Sequence, residues 1–182
     1  MRKKDRHILK KGMIWLGAVL ILSGTCSLAG CEEEKDKVAQ ELVDYINKGV
    51  LGIAELEKRS LEQYASVIGK NFTTEERVYK ALRDYVIPTY KRFLDGLRLI
   101  PAKSEEIRRL HGIYVNGADL LYEGFRLKSI GLEQKDEKII LMGNDKIEKG
   151  RIENERWRNE VMALAKKYGA QEEGKKEEKQ VK

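Results

Sequence analysis

Histidine and cysteine are nearly missing from this chain, with two of each in 182 residues. Both cysteines, Cys26 and Cys31, fall within the first 31 positions. Everything after them has no thiol for a disulfide, a thiolate metal site or a nucleophile. Beyond His7 the only histidine is His111. A zinc or non-haem iron site would need a ligand set almost free of histidine, so no metal and no cofactor is expected. His111 lies between Leu110 and Tyr114 on an apolar-periodic stretch and reads as structural. Signature motifs are absent too: no glycine-rich phosphate loop after a strand, no His-Glu-x-x-His, no Gly-x-Ser-x-Gly. With them goes the commonest catalytic apparatus. No long hydrophobic run occurs either. The apolar stretch over residues 13–22 is about ten residues, against the roughly 20 of a membrane-spanning helix.

An excess of one charge is also lacking once the N-terminus is counted apart. The chain carries a formal +6, but residues 1–30 hold six of its 36 basic and one of its 30 acidic side chains, leaving 30 against 29. Phosphate-backbone recognition needs a basic surplus, so nucleic acid is excluded as a partner.

What the N-terminus does contain is a basic head (Arg2, Lys3, Lys4, Arg6, Lys10, Lys11), the apolar stretch, and then small and polar residues, the layout of a secretory leader. It ends in Leu28-Ala29-Gly30-Cys31, which resembles the lipobox of bacterial lipoproteins. The resemblance implies that residues 1–30 are a signal peptide and that Cys31 is the lipidation site. It also implies that a diacylglyceryl group on Cys31 holds the rest on the outer face of the cytoplasmic membrane. The residue types suit the chemistry: a soft nucleophile is modified, and small side chains before the cut enter a peptidase cleft. The alternative is a permanent membrane helix over residues 13–30. Either reading exports the remainder, because the basic head stays inside.

Residues 31–182 suffice for one domain burying roughly 68–70% of its unfolded surface. Residues 31–37 read as a charged, lipidated tether, 38–168 as a helical domain and 169–182 as a disordered charged tail. Apolar residues then recur at helical spacing. A first stripe runs Val38, Leu42, Ile46, Val50, Ile53, and on to Tyr64 and Val67. Gly49 and Gly52 predict a kink or short break in it, and Gly69 a left-handed cap. Thr73-x-x-Glu76 has capping-box spacing before a second stripe from Val78 to Ile100, with a bend expected over residues 84–88 on account of Pro88. Ser104 with Glu105 and Glu106 starts a third helix, and Asp136 caps a fourth. The fourth repeats by sevens, as Ile140, Ile147, Asn154, Val161, Tyr168 and as Gly143, Gly150, Trp157, Leu164. No strand-like alternation follows Cys31. The expected fold class is all-α, an antiparallel helical bundle of about four long helices after a lipoprotein signal peptide.

The third helix carries Leu110, Gly117, Gly124 and Gly131 at the same interval. A turn near residues 134–137 would pair Gly131 with Gly143, Gly124 with Gly150, Gly117 with Trp157 and Leu110 with Leu164 along one seam. The competing reading is that Gly131 caps its helix and the other glycines are fortuitous.

All eight tyrosines lie after Cys31, and Tyr64, Tyr85, Tyr90, Tyr114 and Tyr122 fall on or beside the stripes. Buried hydroxyls need partners, so these five form a candidate ligand groove. The alternative makes them bundle-core residues with hydroxyls at the rim. The lipobox, the segment over residues 41–68, the run Tyr85-Val86-Ile87-Pro88-Thr89-Tyr90 and the heptad C-terminal helix together resemble the uncharacterised helical lipoproteins of Gram-positive bacteria. That resemblance implies fold and address and assigns no activity. Two functions follow: a non-enzymatic module binding an envelope protein or small ligand, or an envelope hydrolase or transferase using Glu and Tyr. The second requires two carboxylates converging in a buried pocket.

Overall fold

The computed structural model describes the backbone of residues 20–22 and 31–172, and the side chains of residues 35–170. The signal-peptide reading and most of the expected tail lie outside the described residues. The fold is an all-α antiparallel bundle of four rods. The first comprises α1 (Cys31–Asp44), a π-helical segment (Tyr45–Val50) and α2 (Leu51–Ala65). The second comprises α3 (Glu75–Ala81), a π-helical segment (Leu82–Val86) and α4 (Ile87–Arg98). The third is α5 (Glu105–Gln134) and the fourth α6 (Glu137–Tyr168).

The stripes supply the core. Leu42, Ile46, Val50, Leu82, Val86, Phe93, Leu94, Leu97, Ile107 and Leu110 are all buried. The expected irregularities at Gly49 and Pro88 take the form of π turns, which keep the rods continuous instead of breaking them. A π turn carries more residues per turn than an α turn. After Leu82 the inward position therefore falls on Val86, and Tyr85 is left 40% exposed. Ser60, fully buried on α2, donates to the Val86 carbonyl at 3.0 Å and ties the first rod to this turn.

Ser104 and Asp136 cap α5 and α6 as expected: Ser104 Oγ accepts from the Ile107 amide, and Asp136 Oδ1 from the Lys138 and Ile139 amides. The α3 cap sits one residue later than the capping box predicts. Thr74, not Thr73, accepts from the Arg77 amide at 3.2 Å. The third helical position is then an arginine, and no reciprocal carboxylate completes the box. Residues 31–37, expected as a tether, are the first turns of α1. Ala170–Glu172, expected in the disordered tail, pairs antiparallel with Leu20–Leu22 in two three-residue strands.

The α5–α6 hairpin forms by far the most extensive helix–helix contact. All five seam glycines are buried between these helices. The register is offset from expectation by about three residues, with Gly131 against Ile140, Lys128 against Gly143, Gly124 against Ile147, Leu121 against Gly150 and Gly117 against Asn154. A Cβ on Gly143 would lie 2.8 Å from the Gly124 carbonyl oxygen, and one on Gly150 would lie 2.7 Å from that of Gly117. Gly143 thus packs on the turn from Gly124 to Lys128 and Gly150 on the turn from Gly117 to Leu121, so the glycines interleave instead of facing one another, and Trp157 meets Tyr114 in place of Gly117. The reversal is tight: Lys135 is left-handed at φ 55, and the Asp136 amide donates back to the Gly131 carbonyl at 2.8 Å. Equal spacing on both helices leaves open whether the glycines face one another or interleave, so periodicity alone cannot choose between the two registers. The turn chooses.

Candidate functional site

Three of the five candidate tyrosines belong to one aromatic chain through the core. Tyr64 contacts Phe125 (4.9 Å between centroids), Phe125 contacts Tyr90 (5.3 Å), Tyr90 contacts Phe93 (5.2 Å) and Phe93 contacts Tyr114 (5.8 Å). Tyr114 then stacks on Trp157 at 3.9 Å and 13°. Each ring comes from a stripe position, so the chain follows from helical periodicity and burial. Tyr64 keeps its hydroxyl within reach of Lys128 Nζ, at 2.9 Å. The other two candidates lie off the chain: Tyr85 is exposed, and Tyr122 is half-buried with the Arg126 guanidinium 6.0 Å from its ring. The five line no common groove. Tyr90 and Tyr114 are packed core residues with buried hydroxyls.

A polar node that the sequence reading did not single out sits at the end of this chain. Glu57 on α2 is half-buried as a residue, yet its carboxylate bonds two core side chains. Oε2 accepts from the Tyr114 hydroxyl at 2.7 Å, and Oε1 from Asn154 Nδ2 at 3.3 Å. Burial raises its pKa above the ordinary 4.5, against the hydroxyl donated by Tyr114 and the positive charge of Arg158. Burial likewise holds the Tyr90 and Tyr114 hydroxyls well above their ordinary 10, and the Glu57 carboxylate reinforces both. Around the node Tyr90 Oη, Asn154 Oδ1 and Trp157 Nε1 are buried without a partner at good hydrogen-bond geometry, Tyr90 lying nearest Asn154 and Trp157 nearest Tyr45. Such groups cost on the order of 1–3 kcal/mol each. The node is thus a polar cluster within an otherwise apolar interior.

On the other side of α5 lies an open groove of about 640 Å³ between residues 98–102 and the first half of α5. Its polar lining is Arg98, Arg108, His111, Asn116 and Asp119, and its apolar lining includes Ile100, Ala102 and Val115. Glu41 of α1 fixes the loop: its carboxylate accepts from the Lys103 amide at 2.5 Å and the Ser104 amide at 3.0 Å. Arg98 pairs with Asp119 at 2.5 Å, and Arg108 donates to the Lys103 carbonyl. His111 Nδ1 lies 3.3 Å from the Tyr45 hydroxyl, and partial burial holds its imidazole below the ordinary 6.5. Tyr45 in turn is 3% exposed, and burial moves its hydroxyl far up from 10. His111 thus borders the groove while its ring packs edge-on against Tyr45.

Sequence reasoning missed Glu57 because it is one acid among many on a polar-flanked helix. Asn154 did carry a signal, as the one polar residue in a heptad otherwise made of Ile, Val and Tyr. Among the described residues no three His, Cys, Asp or Glu side chains are grouped to hold a metal ion, and no helix is long and apolar enough to cross a membrane. Comparison with protein-family models, with curated proteins and with solved structures finds no match.

Proposed function

We propose that this chain is an extracytoplasmic lipoprotein, held on the outer face of the cytoplasmic membrane by a diacylglyceryl group on Cys31. In this reading it serves as a non-enzymatic binding module for an envelope protein or small ligand. The observation that carries the reading is positional. The lipobox ends at Cys31, and α1 begins at Cys31 and runs into the core within two turns, at Val38, Ala39 and Leu42. The cut that the lipobox implies removes none of α1, and of the described elements it takes away the strand Leu20–Leu22 alone. Two acyl chains anchor stably where one is marginal, since each buried methylene contributes about 0.8 kcal/mol.

An envelope hydrolase or transferase is favoured by one observation, the raised pKa of the Glu57 carboxylate beside two tyrosines. That chemistry needs a second carboxylate within reach, and Asp119, the other acid felt by Tyr90, is engaged at the surface with Arg98. The binding module remains the better reading.

The test is Cys31→Ser in cells labelled with radioactive palmitate. The native chain is expected to incorporate label and to shorten on processing, and the variant to do neither. A labelled, processed variant would overturn the anchor.

A further inference from the structure

The groove on α5 is built in a way that protein packing does not explain. Of the glycines on this helix, Gly117, Gly124 and Gly131 are required, because a Cβ at each would strike backbone or side-chain atoms of α6 or its cap at under 3 Å. Gly112 is different: a Cβ there would meet nothing within 4 Å. Glycine in a helix interior costs stability relative to alanine, so the protein gains nothing from it internally. Gly112 lines the groove, and its effect is to leave bare backbone there. The exposed Gly52 on α2 is equally free of neighbours, and what sets Gly112 apart is its place in the groove, where bare backbone admits close approach.

The surroundings state what that something is. Arg98 and Arg108 stand against a single carboxylate, Asp119, so the groove is positive on balance. His111 Nδ1 faces the Tyr45 hydroxyl, and in the tautomer in which that hydroxyl donates, the imidazole proton sits on Nε2 as a further donor. Ile100, Ala102 and Val115 give the groove an apolar side. The π-helical segment Tyr45–Val50 backs both parts. Tyr45 holds His111, and Gly49 seats Ile100, whose Cγ2 would lie 2.6 Å from a Cβ at that position. Irregular π turns of this kind recur at functional sites.

We infer that this groove binds a small oxyanion, a carboxylate or phosphate group on a compact apolar body, with the body lying over Gly112 and the charge held by Arg98, Arg108 and His111. The inference rests on reading the chain as a binding module and is independent of its lipidation. Acylation of Cys31 tests the anchor alone, whereas the titrations below test the groove alone.

The experiment uses the full chain carrying Cys31→Ser, so that one unacylated species is present, with ¹⁵N-labelled amides followed by NMR. Phenyl phosphate and benzoate supply the two oxyanions on one body, and benzyl alcohol supplies the body without charge. At least one anion is expected to shift the amides of His111, Gly112 and Asn116 saturably, and the alcohol at least about tenfold more weakly. Arg108→Gln should weaken the anion about tenfold. Asp119→Asn, which frees Arg98 from its competitor, should strengthen it. Gly112→Ala should weaken binding while leaving the melting temperature equal or higher. The inference is overturned if neither anion gives saturable shifts at these amides, if the alcohol binds as well, or if Gly112→Ala binds unchanged.

Discussion

At the level of single residues the interior is poised between two titrations of opposite sign. Glu57 has its folded pKa raised above 4.5 by burial. Its contribution is fully present below 4.5 and is lost as pH rises through the folded value. His111 has its folded pKa lowered below 6.5 by burial, so its contribution is present above 6.5 and is lost as pH falls through the folded value. Glu57→Gln is therefore expected to raise the urea midpoint at pH 8 and to lose that advantage toward pH 4. The neutral amide needs no desolvation of charge, and it adds a donor beside Asn154 Oδ1, an unpaired acceptor. A variant less stable than the native chain at pH 8 would show that the ionised carboxylate supports the fold. For His111 the check is its imidazole resonance followed by NMR, with a midpoint expected on the acid side of 6.5. The exposed ion pairs matter little here: Lys91 with Asp95 and Lys80 with Glu76 are solvent-screened i,i+4 pairs. The place of Glu57 in this node was not legible in the sequence, because its burial depends on which side of α2 meets α5 and α6. Asn154 was legible as an anomaly in its heptad, and its partner was not.

Among the elements, the α5–α6 seam is the one most sharply determined. Gly143→Ala would place a methyl 2.6 Å from the Lys128 amide nitrogen, and backbone atoms cannot rotate away as a side-chain tip can. The helices must separate, which is expected to destabilise by about 1–3 kcal/mol or more through overpacking. Gly52→Ala, where a Cβ would touch nothing, is the control and should stabilise by up to about 1 kcal/mol through helix propensity. Thermal melts of the two variants should therefore move in opposite directions; a neutral Gly143→Ala would deny that the seam is closely packed. The helices, their caps at Ser104 and Asp136, and the membership of the glycines in one interface could all be read from periodicity. The register could not, because equal spacing on both helices does not say whether the glycines face one another or interleave. Likewise the π turns were visible only as glycine and proline disturbances, since hydrogen-bond pattern, not composition, distinguishes a bend from a widened turn.

For the whole molecule, the aromatic chain and the heptad hairpin explain why four rods of modest hydrophobicity form one core. The Tyr114–Trp157 stack joins α5 to α6 just where Glu57 brings in the first rod. Trp157→Leu should loosen this junction at a cost of several kcal/mol, comparable to other large aromatic truncations, and should abolish the ring-current shifts on Tyr114. Unchanged Tyr114 shifts would mean the stack is absent in solution. One feature bears on mechanics. Antiparallel rods bring the start of α1 and the end of α6 to the same end of the bundle, while Glu41, ten residues and about 15 Å along α1 from Cys31, grips the loop that leads into α5. A load applied between Cys31 and the α5 groove therefore travels along α1 and across the Glu41 clasp. The distal half of the molecule, including α3 and the α5–α6 turn, stays slack. Pulled this way the protein behaves as a short stiff strut, whereas traction between Cys31 and Tyr168 would peel the first and last rods apart like a zip.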